Sequence, residues 1–367
     1  MPTEKAHGIQ IAKMREALAE QGVVVELVVP NRLNPIKDDI FDYYGIKKNF
    51  ILSKLPCIDL ISCAVWLGPL AYWTEALSFA WSVKKYLKHH SDLIYTRELS
   101  NVAFLGSGNK IVFEAHNLPK KPNLFYRHWL KKVERLVVIT QGLKDDFVFL
   151  GFPAERILVA PDAVDLKMFN IGNSQIDCRK RLNLSANWRN KKIILYTGHL
   201  YDWKGADTLL YAAKLLPESV VVFVGGTDAD VDNFRNKAQS NQVENVLIVG
   251  HRPVGEIPIY LCAADVLVLP NSAKQTISSR YTSPLKLFEY MASRRPIVAS
   301  DLPSLREILT EETAIFFEPD NQQSLSEGIK FALNDPVVAA QKAEQAYLKA
   351  QNYTWEKRAQ NILKFIQ

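Results

Sequence analysis

Lys286 and Glu289 lie three residues apart in the stretch Tyr281-Thr-Ser-Pro-Leu-Lys-Leu-Phe-Glu-Tyr-Met291. Ser283 is a residue type that caps helices, and Pro284 suits a first turn. Leu285, Phe288, Met291 and Ala292 recur at helical spacing, so the stretch predicts an amphipathic helix with Lys286 and Glu289 side by side on the other face. The opening turn of a helix carries amide N–H groups without partners at the positive end of the dipole, and so attracts anions. Proline has no N–H, which leaves Leu285 and Lys286 as the amide donors there. A carboxylate one turn further in is poor for phosphate but accepts hydrogen bonds from sugar hydroxyls. The pair therefore suits a nucleotide whose phosphates meet the opening turn and whose ribose meets Glu289. A capped amphipathic helix with a solvated glutamate fits the same spacing.

Two further positions could serve the same chemistry. In Gly198-His199-Leu-Tyr-Asp-Trp-Lys204-Gly205 the lysine sits in a glycine-bounded loop after the apolar run Lys192–Thr197. It reads as a phosphate cation or as a solvated lysine. His116 falls just past the run Lys110–Ala115, at the carboxyl end of a buried strand, where ligands bind in open α/β sheets. A lone histidine there is otherwise structural. His251-Arg252-Pro253 ends another strand, and Arg252 is a candidate to face a base. Asp228-Ala-Asp230 has the spacing of a metal pair but reads as a peripheral loop, so no metal site is placed. Gly225-Gly226 is too short for a dinucleotide fingerprint. Cys57, Cys63, Cys178 and Cys262 have neither metal-ligand nor CxxC spacing and read, with no signal peptide, as free thiols in a reducing cytoplasm.

These residues need a scaffold of alternating strands and helices. A chain of 367 residues with 48% hydrophobic and 23% charged content is a soluble globular protein of two domains or one large one. Val220–Val224, Asn245–Gly250, Asp265–Pro270 and Pro296–Ser300 are short apolar runs separated by helical stretches, the pattern of a doubly wound parallel sheet. Residues 170–190 are polar and basic without strong periodicity and are expected to link domains 1–170 and 171–350, with a last helix in 351–367 that is expected to return to the first domain. At the start, Met1–Gly8 reads as a loop, followed by a helix to about Gln21 and a strand over Val23–Val29. The run Leu55–Trp81 is apolar and aromatic. Gly68-Pro69, Asp59 and Glu75 argue against a membrane span. It reads as core-packed helices or as a surface that dips into a membrane, aided by Lys84, Lys85 and Lys88. The net charge of +6 is modest. Its excess gathers before residue 160, at Lys120, Lys121, Arg127, Lys131, Lys132 and Arg135, as a solvated helix face or a basic surface for nucleotide or anionic membrane. A nucleic-acid partner rests on that helix alone and is not expected.

The Tyr281–Glu307 stretch, with Pro296-Ile-Val-Ala-Ser-Asp301 behind it, resembles the signature of retaining glycosyltransferases of family 4. The resemblance spans essentially the whole chain and is strongest over 192–308. It implies a GT-B fold: two Rossmann-like doubly wound α/β domains facing a cleft. By resemblance Glu289 holds the donor ribose, His116 lies beside the donor sugar, and Lys204 is one of two cations that clamp the pyrophosphate. Gly8 belongs to a loop near the donor, and Ser283, Leu285 and Lys286 line the phosphate end. The implied donor is a UDP- or GDP-sugar and the implied acceptor a saccharide or lipid-linked saccharide, with no metal or other cofactor, on the cytoplasmic side and in peripheral contact with the membrane. The chain departs from the signature where Tyr281 replaces a glutamate, Pro284 a glycine and His199 an arginine; Tyr281, beside the sugar, and His199, at the pyrophosphate, still stand at donor-binding positions by resemblance. These departures leave open a catalytically weak homologue that binds nucleotide or scaffolds another transferase; a sugar-nucleotide epimerase is a third reading. The strand that opens the family's first sheet has no counterpart before Met1-Pro-Thr, which implies a start codon assigned too late or a trimmed chain.

Overall fold

The computed structural model describes residues 1–61, 66, 68–88, 93–106, 108–182 and 191–367. It divides into two compact units, one formed by Met1–Pro161 with Trp355–Gln367 and the other by Asp162–Thr354.

The first unit opens with helix α1 (Ala6–Glu20) and the parallel strands β1 (Glu26–Asn31) and β2 (Ile51–Pro56). Helix α2 (Pro69–Leu87) leads to β3 (Leu93–Thr96) and β4 (Lys110–Ala115). Helix α3 (Leu124–Leu130), β5 (Arg135–Val138) and β6 (Ile157–Val159) follow. Strands β3 to β6 form a parallel sheet in chain order, separate from the β1–β2 pair. The helix Trp355–Ile366 belongs to this unit and buries Trp355, Arg358, Ala359 and Ile362.

The opening differs from expectation. Helix α1 begins at Ala6, so His7 and Gly8 lie in its first turn and not in a loop. A Cβ on Gly8 would overlap the Tyr44 hydroxyl, which is locked to Thr3 by hydrogen bonds of 2.8 and 2.9 Å. Glycine is required there for close packing. Strand β1 starts at Glu26, beyond the exposed Val23 and Val24. Of the apolar run Leu55–Trp81, residues 62–65 and 67 lie outside the described residues. Helix α2 buries Ala71, Glu75, Ala76, Phe79 and Ala80 but leaves Trp73 and Trp81 exposed.

The second unit holds β7 (Lys192–Thr197), β8 (Ser219–Val224), β9 (Val246–Gly250), β10 (Val266–Leu269), β11 (Ile297–Ser300) and β12 (Ile315–Phe317). All pair in parallel, in the order β12-β11-β10-β7-β8-β9. Apart from the exposed Lys192, the residues of β7, β8, β10 and β11 are buried, as their runs of Val, Ile and Leu require when helices cover both faces. Helices α4 (Ala206–Ala212) and α5 (Leu285–Ala292) supply part of that cover. The strand order reverses between β7 and β10, and the carboxyl ends flanking such a reversal are where open α/β sheets bind ligands.

The polar segment after 170 is not a linker. Helix Gln175–Arg181 packs within the second unit, where Arg179 reaches the Asp265 carboxylate at 2.5 Å and the Ala263 carbonyl at 2.9 Å. The boundary falls between Pro161 and Asp162. Of the expected link, residues 183–190 lie outside the described residues.

Candidate active site

Helix α5 starts beside the strand reversal. Pro284 is its N-cap, with φ −75° and ψ 132°, and no side chain caps it. Ser283, expected to do so, stands one residue too early, because a residue before proline is held extended. Its Oγ instead accepts the Asp162 amide N–H at 3.0 Å. The Leu287 amide already bonds the Pro284 carbonyl at 2.9 Å. Leu285 and Lys286 are the first two helical residues, whose N–H groups precede any intrahelical acceptor.

The helix buries more than one stripe. Leu287, Phe288, Tyr290, Met291 and Ala292 are in the core, and the Tyr290 hydroxyl accepts the Thr197 N–H at 2.8 Å, tying α5 to the end of β7. Lys286 and Glu289 do not face water as the spacing suggested. Lys286 is buried, with Nζ 3.8 Å from the Tyr196 ring centroid, and Glu289 is half-buried. Burial pushes the Glu289 carboxyl up to about 7 against the opposing pull of Lys286. Burial, and then Lys204, hold the Lys286 amine well below the ordinary lysine range.

The loop after β7 carries Lys204 to the same place. Gly205 adopts φ +70°, and a Cβ there would overlap the Pro270 carbonyl, so this loop rests directly on the one that follows β10. Lys204 is half-buried, with Nζ 4.0 Å from the Trp203 ring centroid. Burial lowers its amine to about 8, opposed by Asp162. The His199 ring stacks on Tyr201 at 4.9 Å, and the His199 carbonyl accepts the Tyr196 hydroxyl at 2.5 Å. Tyr281 is buried. Arg252 is exposed and engaged with the Tyr260 hydroxyl at 3.2 Å and with Glu256 at 3.9 Å.

In the first unit, His116 follows β4 and is held by a residue that motif reading passed over. Glu114 is fully buried. Its Oε1 accepts from Gln10 Nε2, His116 Nε2 and Arg358 Nη2, each at 2.8 Å, and its Oε2 accepts the Tyr95 hydroxyl at 2.5 Å. Burial pushes the Glu114 carboxyl up, but Arg358 and His116 outweigh it and hold the group well below the usual carboxylate range. An ionised carboxylate only accepts, so His116 carries a proton on Nε2. The available signals were a glutamate inside an apolar strand and an arginine in the last helix. His7 is pushed down to about 4 by burial and then by Arg97 and Lys5. Gly8 lies in the same turn, as packing.

Among the described residues no cluster of His, Cys, Asp and Glu could hold a metal ion. Asp228 and Asp230 begin helix Asp228–Ser240 instead of lying on a loop, and Asp230 completes a capping box with Thr227. Cys57, Cys178 and Cys262 are free thiols, while Cys63 lies outside the described residues.

Two family models match the chain: "Glycosyl transferases group 1" over residues 183–353 and "Glycosyltransferase Family 4" over residues 8–168. Among curated relatives, a D-inositol 3-phosphate glycosyltransferase of Corynebacterium aurimucosum is 25% identical over 239 residues, covering 62% of this chain and 55% of that one. The chain spans about half the length of the curated relatives it matches. A sucrose-phosphate synthase from Thermosynechococcus elongatus superimposes with a TM-score of 0.76 at 20% identity, over 98% of this chain and 92% of that one. The Anabaena protein HepE, solved in complex with UDP-glucose, gives 0.75 at 18% identity, over 99% and 96%. These likenesses establish a GT-B fold.

Proposed function

The chain belongs to the group 1, family 4 glycosyltransferases, and from that premise we propose that it is a retaining glycosyltransferase. It moves a sugar from a UDP- or GDP-sugar to a saccharide or lipid-linked saccharide in polysaccharide assembly. The second unit holds the donor. One observation carries this reading: Lys204, the opening amides of α5 and Glu289 are gathered at the strand reversal of a doubly wound sheet.

In this reading the diphosphate lies against the Leu285 and Lys286 amides with Lys204 as counter-charge, and Glu289 accepts from the ribose hydroxyls. As the bond from the anomeric carbon to the β-phosphate oxygen breaks, negative charge grows on the diphosphate, where fixed cations and amides stabilise it. The chain's own cations meet that charge, so the reading calls for no metal. The acceptor oxygen attacks from the face the diphosphate leaves, and its proton passes to the departing phosphate. The first unit takes the acceptor, and His116, oriented by Glu114, is its candidate sugar-contacting side chain. A lipid-linked acceptor places the protein in peripheral contact with a membrane on the cytoplasmic side.

Calorimetric titration with UDP and GDP, paired with a donor-hydrolysis assay, tests this. Saturable binding of one diphosphate with slow hydrolysis of the matching sugar is expected; binding of neither refutes the donor site. The buried Tyr281, where the family places a glutamate, favours a second reading as a nucleotide-binding scaffold. Binding without turnover across a panel of acceptors would support it.

A further inference from the structure

The second unit buries a lysine amine that hydrogen bonds do not account for. Lys286 is 7% exposed, and its Nζ has no hydrogen-bond partner in the chain. It lies 3.8 Å from the Tyr196 ring centroid and 3.8 Å from the point where a Cβ on Gly198 would stand. The amine therefore sits beneath the turn that leaves β7, beside the opening of the helix that carries it. One oxygen of the buried Asp162, whose own amide is tied to Ser283 next to α5, is likewise without a partner. A buried amine without hydrogen bonds is costly, more so when charged, and a π face meets only part of that cost. His199 occupies the position where a second diphosphate cation was expected, and its ring lies in a flat stack on Tyr201, with an interplanar angle of 5°.

We propose that the side-chain amine of Lys286, in place of His199, is the second cation for the diphosphate of a nucleoside diphosphate. This rests on reading the second unit as the donor site. It adds to that reading a side chain whose backbone amide alone had been assigned. The phosphate supplies the acceptor that the amine lacks in the free chain, and Lys204 approaches the same anion from the loop after β7.

The charged groups around the amine set the pH behaviour. Lys204 faces it from the loop after β7, and Glu289 from its own helix. Tyr196 lies beneath it, and Tyr290 projects from α5 toward Thr197. Asp162 enters through its electrostatic effect on Lys204. Burial and Lys204 both favour the neutral amine, so a bound diphosphate draws a proton onto Lys286. Binding is accompanied by proton uptake, and affinity falls as pH rises.

The experiment is calorimetry on the full chain with UDP, GDP, uridine and guanosine, in two buffers of different protonation enthalpy, for wild type, Lys286→Met, Lys286→Gln and His199→Ala. Losing a charge-assisted contact should weaken diphosphate binding by roughly tenfold or more. Both Lys286 variants are expected to show this and to lose the proton uptake, with nucleoside binding unchanged, while His199→Ala stays close to wild type. Should Lys286→Met fail to fold, Lys286→Gln carries the test. Wild type that binds no nucleoside diphosphate removes the donor site itself. Wild-type binding that persists undiminished in both Lys286 variants removes this inference alone, as does an equal loss of nucleoside and diphosphate.

Discussion

At the scale of single residues, Glu289 and Glu114 are carboxylates displaced in opposite directions, and the two displacements predict different pH behaviour. Burial raises Glu289 to about 7, above the ~4.3 of an unfolded glutamate. Between those values the folded chain binds the extra proton, so stability falls as pH rises through the window. Glu289→Gln removes that loss and should melt at a higher temperature than wild type above pH 7. Its carboxamide is a weaker acceptor for ribose hydroxyls, and Glu289→Ala should abolish the thermal shift given by the donor. Function and stability are thus set against each other at one side chain. A melt of Glu289→Gln no higher than wild type, or a donor shift retained by Glu289→Ala, contradicts the assignment. Glu114 is the reverse case: its folded value lies well below the ordinary one, so its contribution is full above about pH 4.3 and is lost as pH falls below that. Replacing its partner by Arg358→Leu leaves a buried charge short of a cation, which costs about 3 kcal/mol or more. Denaturant titration should show the loss at pH 7 and a smaller one near pH 3.

At the scale of elements, the proposed donor site depends on how closely two loops approach. Gly205 is left-handed and its Cα faces the Pro270 carbonyl. Gly205→Ala adds a strained backbone and an overlap with main chain that no rotamer relieves. The loop should lift away from β10, carrying Lys204 with it. UDP affinity should drop and the melting temperature fall together, and a variant that binds like wild type would show that the seating of the loop is irrelevant to the site. Much at this scale was legible in the sequence. Strands buried on both faces must be written in runs such as Val220–Phe223 and Val266–Leu269, and the spacing of Leu285, Phe288 and Met291 announced α5. What escaped was long-range. Gly8 looks like a loop glycine until Tyr44 is seen against it. Ser283 looks like a cap until the extended residue before proline is given instead to Asp162. The polar segment after 170 looks like a linker until Arg179 finds Asp265. Glu114 and Arg358 stand 244 residues apart, and nothing in either neighbourhood announces the other.

At the scale of the whole molecule, no helix among the described residues is long and apolar enough to cross a membrane, yet one surface of the first unit suits lying on one. Trp73 of α2 and Phe125 of α3, both exposed, flank the buried Trp129 with ring centroids at 6.3 and 6.2 Å. Leu70 and Leu124 extend the patch. The single acid of α2, Glu75, is turned inward and paired with Arg32 at 3.3 Å. From Ala115 to Val133 the chain has no acid but carries the exposed Lys120, Lys121, Arg127 and Lys131, while the Lys132 amine is turned to the carbonyls of Val102, Ala103 and Leu105. Exposed aromatic and aliphatic side chains rimmed by cations match an anionic lipid surface. Wild type should co-sediment with vesicles containing phosphatidylglycerol more than with pure phosphatidylcholine, and less as salt is raised. Lys120→Glu/Lys121→Glu should weaken that partitioning roughly thirtyfold or more, at about 1 kcal/mol for each lysine lost near the surface. Leu124→Ser/Phe125→Ser should weaken it on both lipids. Both pairs are exposed and outside the unit proposed to hold the donor, so melting temperature and UDP binding should stay at wild-type values. Equal sedimentation with both lipids, or charge-reversed protein that partitions like wild type, would take the membrane away from this surface. Concentration-dependent self-association abolished by Leu124→Ser/Phe125→Ser would give it to a second copy of the chain instead.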